Sequence, residues 1–479
     1  MNRSLLWLTA AILVPVAVFG SAWVGQDRVN RPDGDTCELA PFIACDGSGR
    51  PWVCWMRKPS DSCVRWTRWT DGKWDQEQGV VPNPPNLAYS YPHSICFDRE
   101  GVPWIGLGNW YENNTSDMFS SRWNGSTWGS EIQINPPDST LLEFAPVISC
   151  GGDQMWSVWY GGPSSTAPYS VYASRWNAVK GVWDSVMQVS PPNGNNHWWC
   201  DMAVDSMGRP HVVWTETEHL AVYYSFYDGT QWSEPLLLND SSREKAAAWT
   251  DPHIAIDRDG ILHVDYTGVL NGAPARDVFY TRNDGSGWTP SVRVTQDTVV
   301  NYDEWYSDIA ASSSDNVWIV FMRQGEGSDE FRLYAVHFDG QSWSEEQRLD
   351  NGSSLEDCDP AVCLDASGCP WVIWDGVTPG ASTDIFYNRI AAPSAIHETT
   401  SGAAVRFPSV VCGVLRVPAS SVMRGASCAL LDISGREVLQ LHAGANDVRA
   451  LAPGVYFVRG GLGTGGEGLG KTRKVVVTR

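Results

Sequence analysis

Positive charge is what this sequence has least of. Lys and Arg number 34 against 55 Asp and Glu, giving a formal net charge of −21 in a chain that is only 19% charged. Long-range attraction to nucleic acid or to an anionic membrane is therefore disfavoured, and no nucleic-acid partner is expected. A neutral or cationic partner remains open, as does an anion held by a local basic cluster. Long apolar runs are equally scarce. The run from Leu5 to Phe19 falls short of the roughly 20 residues a spanning helix needs. With Arg3 before it and Gly20-Ser21-Ala22 after it, this run reads as an export signal over residues 1–22. Trp23 stands where a lipoprotein would need Cys. Zinc-type spacing is also missing, since no CxxC is paired with another CxxC, and no cofactor is expected. Twelve Cys in an exported chain suggest some disulfides. Cys54 with Cys63 and Cys363 with Cys369 lie across expected hairpins, and Cys412 with Cys428 forms a separate pair. Cys45, Cys96, Cys150 and Cys200 occupy similar places in successive repeats and read as small buried side chains.

What the chain has in abundance is a repeat. The stretch Asp46 to Trp55, DGSGRPWVCW, returns with its first aromatic or His at Trp52, Trp104, Trp156, His211, His263, Trp318 and Trp371. These markers fall roughly 52 to 55 residues apart, the interval of a propeller built from short strands. Each repeat opens with an apolar run ending in a D-x-x-G reversal, such as Asp46/Gly49 or Asp257/Gly260. A P-W-x-x-W relative follows, as in Trp52/Trp55, Trp156/Trp159 and Trp371/Trp374. On a strand, a spacing of three sends the two aromatics to opposite faces, which suits a sheet packed on both sides. A third strand then ends in Arg (Arg175, Arg282, Arg389), and a D-G or N-G turn leads to a fourth that opens on Trp (Trp128, Trp232, Trp288, Trp343).

The seventh repeat lacks its own fourth strand, because Ala391-Ala392-Pro393 follows Arg389 directly. Residues 23 to 30, Trp23-Val-Gly-Gln-Asp-Arg-Val-Asn30, match the register of Trp343 to Asp350 and are expected to supply it. The predicted fold is all-β: a seven-bladed β-propeller over 23–392 closed by an N-terminal strand, a linker over 393–402, and a small Ig-like β-sandwich over 403–479.

Thr281-Arg-Asn283-Asp-Gly285-Ser-Gly-Trp288 resembles the Asp-box, S-x-D-x-G-x-T-W, of sialidases and other bacterial neuraminidase repeat (BNR) proteins. Ser121 to Trp128 and Ser225 to Trp232 resemble it with an aromatic at the acidic position. The resemblance covers the repeats and implies a sialidase-like propeller. It transfers no activity, because the Asp-box is a hairpin element. The family's F/Y-R-I-P motif is missing, and three arginines converging on one carboxylate are not evident. Arg68, Arg122, Arg175, Arg282 and Arg389 instead share one repeat position. The C-terminal segment, with Leu431 to Val438, Leu451 to Val458 and the ending Lys474 to Val477, resembles the sorting domain of the type IX secretion system. That likeness implies passage across the outer membrane of a Gram-negative bacterium, then release or attachment at the surface, with the secretion machinery as a partner.

The residues just before each D-x-x-G turn diverge between repeats, most of all in repeats four to six. His197, Trp198, Asp201, Trp249, His253 and Trp305 are candidate ligand contacts, since sugar CH faces stack on rings while hydroxyls need polar partners. If the chain is an enzyme, Glu304 or Asp308 with Asp251 could act as acid and base, or Tyr306 as a nucleophile activated by Glu304, in glycoside hydrolysis. A third reading makes the acids turn caps and the aromatics channel wall. Asp357 and Asp359 are a weak calcium candidate, without the spacing of a calcium loop. His211 and His263 read as packing residues. The sequence thus points to a monomeric, secreted or surface-exposed propeller that binds a glycan or protein at the mouth of its channel, with a glycosidase of sialidase-like type as the alternative.

Overall fold

A strand that sends indoles to both faces has to be covered on both, and that requirement shapes the chain. The computed structural model describes residues 23–31, 36–58, 64–80, 87–111, 115–136, 141–163, 168–247, 251–296, 302–325, 330–380 and 382–391, and in the C-terminal part 410–412, 414–417, 428–432, 436–442, 444–449, 451–452, 454–460 and 472–478. The expected export signal and linker lie outside these residues. The chain divides into two compact units, Met1–Pro393 and Ser394–Arg479. All regular structure among the described residues is strand.

Repeat four shows the common plan. Its strands His197–Val204, Pro210–Glu216, Ala221–Phe226 and Leu236–Leu237 form an antiparallel meander. The other repeats follow this plan, and each first strand packs beside the first strands of the repeats before and after it. The first strand of repeat seven, Glu356–Leu364, packs beside that of repeat one, Cys37–Cys45. This unit is a β-propeller.

In most repeats the second aromatic of the second strand is pinned by a side chain of the first strand. Trp55, Trp159, Trp214 and Trp374 are fully buried. Each indole N–H donates to a side chain on the first strand of its own repeat: Glu38 for Trp55, Glu143 for Trp159 at 2.9 Å, His197 Nδ1 for Trp214 at 3.0 Å and Asp357 for Trp374 at 2.8 Å. In repeat five the Tyr266 hydroxyl donates to Glu244 at 3.0 Å. Burying such a ring is worth roughly 3–5 kcal/mol, whereas a hydrogen bond to a charged acceptor is worth roughly 1.5–3 kcal/mol. Packing therefore supplies the stability, and the latch fixes how the ring lies.

In repeats one, two, four and five the marker aromatic bonds the acid of its own turn instead. Trp52 Nε1 donates to Asp46 at 3.3 Å and Trp104 Nε1 to Asp98 at 3.1 Å. His263 copies this with Nε2 on Asp257 at 3.2 Å, which leaves Nδ1 to accept from Tyr280 at 2.7 Å. His211 is placed likewise between Asp205 and Tyr224. The recurring arginines cover the marker from the third strand, with Arg68 4.9 Å above Trp52 and Arg389 4.8 Å above Trp371. Each D-x-x-G turn closes through a glycine at positive φ, for example Gly49 at 77° and Gly260 at 81°.

The fourth strands differ from expectation. Trp128, Trp232, Trp288 and Trp343 each make a single bridge to the end of the third strand, and the paired segment comes later, as at Ile132–Gln133. The reason is that each indole leaves its own sheet edge to dock on the preceding repeat. Trp128 packs on Trp66, Trp288 on Tyr224 and Trp343 on Tyr280, all edge-on. Trp23 takes the same place for repeat seven, bridging Ile390 and lying edge-on to Trp318 at 5.7 Å. Asp27–Arg28 then pairs with Tyr387 and Phe386. Asn30 bonds Asp384 and the Ile385 N–H, and Arg28 pairs with Asp384 at 3.1 Å.

The expected Cys363–Cys369 bridge is not formed. Cys363 faces Trp371 across the ladder, and its sulfur lies beside Cys45 of repeat one, while Cys369 sits at the turn. Cys54 is a buried free thiol; Cys63, and the side chains of Cys412 and Cys428, lie outside what is described.

The C-terminal unit contains one five-stranded sheet, with Thr472–Thr478 and Gly454–Gly460 at its middle, and a separate two-stranded antiparallel pair of Val414–Val417 with Gly444–Asp447. Removing residues 23–30 exposes the third strand of repeat seven and the face of Trp318. Thermal melting of that deletion should show a transition lower by at least about 5 °C; an unchanged midpoint would show that this strand does not close the ring.

Candidate functional site

The first strands of all seven repeats meet at one cavity of about 490 Å³. Its chemistry follows from register. Two residues before the partner of each marker stand Phe42, Ser94, Val147, Asp201, His253, Asp308 and Ala361. Four residues before it stand Ala40, Pro92, Ala145, Trp199, Asp251, Tyr306 and Asp359. Both rings are small or apolar in repeats one to three and, Ala361 excepted, carry acids, His, Trp and Tyr in repeats four to seven. In all repeats but two and five the second ring falls at a bulge in the ladder. Ala40, Ala145, Trp199, Tyr306 and Asp359 all have positive φ there, between 26° and 54°. A non-glycine residue held in that region is strained, and such strain gathers where a side chain must be aimed.

His253 stands amid the acids. Its Nδ1 lies 3.7 Å from Asp201 Oδ2 and 3.7 Å from Asp308 Oδ1, and Asp265 faces it across the ladder. Burial opposes its charge, but the nearby Asp201 and Asp308 carboxylates prevail and push its pKa up to about 10. It is therefore an imidazolium at neutral pH. Burial raises the neighbouring acids: Asp251 to about 7, Asp265 to about 7, and Asp308 and Asp359 to about 6. Asp251 Oδ1 is buried without a hydrogen-bond partner. Burial likewise drives the Tyr306 phenol up to about 12, with Asp251 and Asp359 adding to the shift. On the far wall, His93 is driven down to about 4 by burial alone and is neutral. No Arg or Lys is among the described residues that line the cavity.

The structure separates the sequence-derived candidates into three groups. Asp201, Asp251, His253, Tyr306 and Asp308 line the cavity together. Two of them also hold the ring, since Asp201 accepts the Ile254 N–H at 2.8 Å and Asp308 the Val362 N–H at 2.7 Å, each in the next repeat. Glu304, His197, Trp198 and Trp305 lie elsewhere. Glu304 is fully buried and paired with Arg323 at 2.5 Å, in the place where other repeats carry the latch acid. The expected activation of Tyr306 by Glu304 is thus not formed. His197 is the latch of repeat four, bonded to Trp214 and to Asn193. Trp198 packs on Tyr169 of repeat three, and Trp305 is covered by the Arg276 guanidinium 3.6 Å from its ring centre. Trp249 lies outside the described residues. Asp357 is a latch acid facing Trp374 while Asp359 faces the cavity, so the two carboxylates considered for calcium do not converge. Among the described residues no cluster of three or more His, Cys, Asp or Glu suits a metal ion.

Trp199 and Asp359 complete the site and were passed over as ligand contacts. Their signal was their distance from the marker's partner, the same as that of Asp251 and Tyr306. A larger groove of about 630 Å³ lies between repeats two and three, but its charges are mutually paired, as Arg99 with Asp153 and Arg122 with Asp98 and Glu100.

No family model matches the chain, and no curated protein does. Solved structures match its fold. A polysaccharide lyase described as an ulvan lyase bound to -[GlcA(1-4)Rha3S]- is 10% identical, covering 76% of this chain and 94% of its own, with a TM-score of 0.51. The BP39L lectin from Burkholderia pseudomallei is 10% identical over 72% of this chain and 97% of its own, at a TM-score of 0.48. An α-L-arabinanase from Penicillium chrysogenum is 10% identical over 77% and 98%, at 0.44. At such identity the likeness is one of fold.

The raised Asp251 gives a pH signature. A carboxyl whose pKa is higher folded than unfolded binds more protons in the folded state between about pH 4 and pH 7, so its stabilising contribution is full below about 4 and is lost as pH rises through 7. Asp251→Asn removes that loss. Denaturant midpoints should show the variant gaining on wild type between pH 5 and pH 8; a gap that is constant or narrows in that interval would contradict the buried position of this carboxyl.

Proposed function

We propose that the chain is an exported, seven-bladed propeller whose cavity binds a glycan through a neutral or cationic sugar. The observation that carries this reading is the division of the cavity wall. Repeats four to seven present Trp199, Asp251, His253, Tyr306, Asp308 and Asp359, while repeats one to three present Phe42, Ala145, Val147 and neutral His93. A sugar ring has an apolar CH face and a rim of hydroxyls, and it matches such a wall. The acid-rich lining without Arg or Lys disfavours a sialic acid or uronate carboxylate, for which His253 would be the single cation and is already engaged by two acids. The resemblance of the C-terminal segment to a type IX sorting domain supports display at, or release from, the surface of a Gram-negative bacterium. Some of its motif residues, Ser434 and Gly435 among them, lie outside the described structure.

One observation favours glycoside hydrolysis as the second reading. Asp251 sits near 7 with an unpartnered oxygen and is therefore partly protonated at neutral pH, which is what a general acid requires. Asp359 and Asp308, near 6, are then mostly ionised and would be the base candidates. A panel of neutral, amino and acidic oligosaccharides examined by titration calorimetry, with matching aryl glycosides for turnover, separates the readings. Binding of a neutral or amino sugar that weakens at least tenfold in Trp199→Ala and Asp251→Asn, without turnover, is the expected result. Turnover abolished by Asp251→Asn would establish the hydrolase, and selective binding of sialylated or uronate glycans would overturn the proposal.

A further inference from the structure

Cys45 is the last residue of the first strand of repeat one, and Cys363 is the penultimate residue of the first strand of repeat seven. They are 318 residues apart in sequence, yet their sulfurs are 2.9 Å apart. An S–S bond measures about 2.05 Å, so a closure of less than about 1 Å joins them. Both sit in the apolar cluster of Ile43, Val53, Trp371 and Ile373 at the seam where the ring closes. The register relation is not accidental. Cys363 faces the marker Trp371 and Cys45 stands one place further along, opposite Pro51. Cys96, facing Trp104, and Cys150, opposite Met155, repeat this register relation between repeats two and three.

We propose that Cys45 and Cys363 form a disulfide that clasps the first strand of repeat seven to that of repeat one. The two thiols give up two protons and two electrons to form the S–S bond, and the disulfide of an oxidised dithiol protein is reduced to two thiols in exchange. The same seam is crossed further out by residues 23–30 on the third strand of repeat seven. The ring is then held at two radii, by a covalent bond near the axis and by strand pairing at the rim. Because the bond closes a loop of several hundred residues, it restricts the unfolded chain strongly.

The test uses the full chain produced in a bacterial periplasm, where disulfide-donating proteins supply the oxidant. The protein is unfolded, alkylated without reductant, digested and mapped by mass spectrometry. The expected result is a linked peptide joining Cys45 to Cys363 that disappears on reduction, together with a melting temperature about 5 °C lower in reductant. Cys45→Ser and Cys363→Ser should both melt at the lower temperature whether or not reductant is present. Recovery of both cysteines as alkylated thiols, or of Cys363 linked to Cys369, overturns the bond. A linked peptide whose reduction leaves the wild-type melting temperature unchanged overturns its role as a clasp.

Discussion

The constraint on which the structure depends is that every second strand buries large side chains on both faces, aromatic ones in every repeat but the second, where Leu107 stands with Trp104. On one face the marker is met by the turn acid in repeats one, two, four and five, as Asp46 meets Trp52, and on the other the ring is met in most repeats by an acid or His on the neighbouring strand, as Glu38 meets Trp55. Once both rings are fixed, neighbouring sheets have a defined surface to pack against. The docking tryptophan of each repeat then ties it to the one before. The ring follows from this local chemistry repeated, with residues 23–30 completing the one repeat that lacks its own outer strand.

A scaffold so fully specified leaves few positions free to vary, and the cavity is made from them. In repeats one, three, four, six and seven a bulge in the first strand lifts a residue out of the ladder toward the cavity. In repeats one and three that residue is Ala. In repeats four, six and seven it is Trp199, Tyr306 and Asp359, and Asp251 stands at the matching place in repeat five. Desolvation and mutual repulsion then raise the carboxyls toward neutrality around an imidazolium, leaving a site with proton donors and acceptors close together. The same acids serve the fold, since Asp201 and Asp308 each hold a backbone N–H of the next repeat.

The repeat, its turns and the closing strand were legible in the sequence because they rest on local rules: glycine at positive φ, aromatics at a spacing of three, and a recurring Trp. The latch was legible too, but only at longer range. Its partner stands 17 residues before Trp55, Trp214 and Trp374 and 16 before Trp159. Glu304 holds that same place relative to Phe321, and His197 relative to Trp214. That spacing marks both as scaffold, although each looked like chemistry beside its aromatic neighbours. Trp198 and Trp305 misled for a related reason, because a bulge reverses the alternation of faces. Asp251, His253 and Tyr306 were read as candidates because they break the pattern, and all three line the cavity. Trp199 was passed over beside His197 and Trp198.

The central claim is that scaffold and site are separable, the latch positions carrying the fold and the bulge positions carrying recognition. Parallel measurement of ligand affinity and melting temperature in Tyr306→Phe and Glu304→Gln tests it most directly. The account predicts that Tyr306→Phe loses affinity while melting close to wild type, and that Glu304→Gln melts lower while binding as wild type does. The reverse, with affinity lost in Glu304→Gln and retained in Tyr306→Phe, would contradict it.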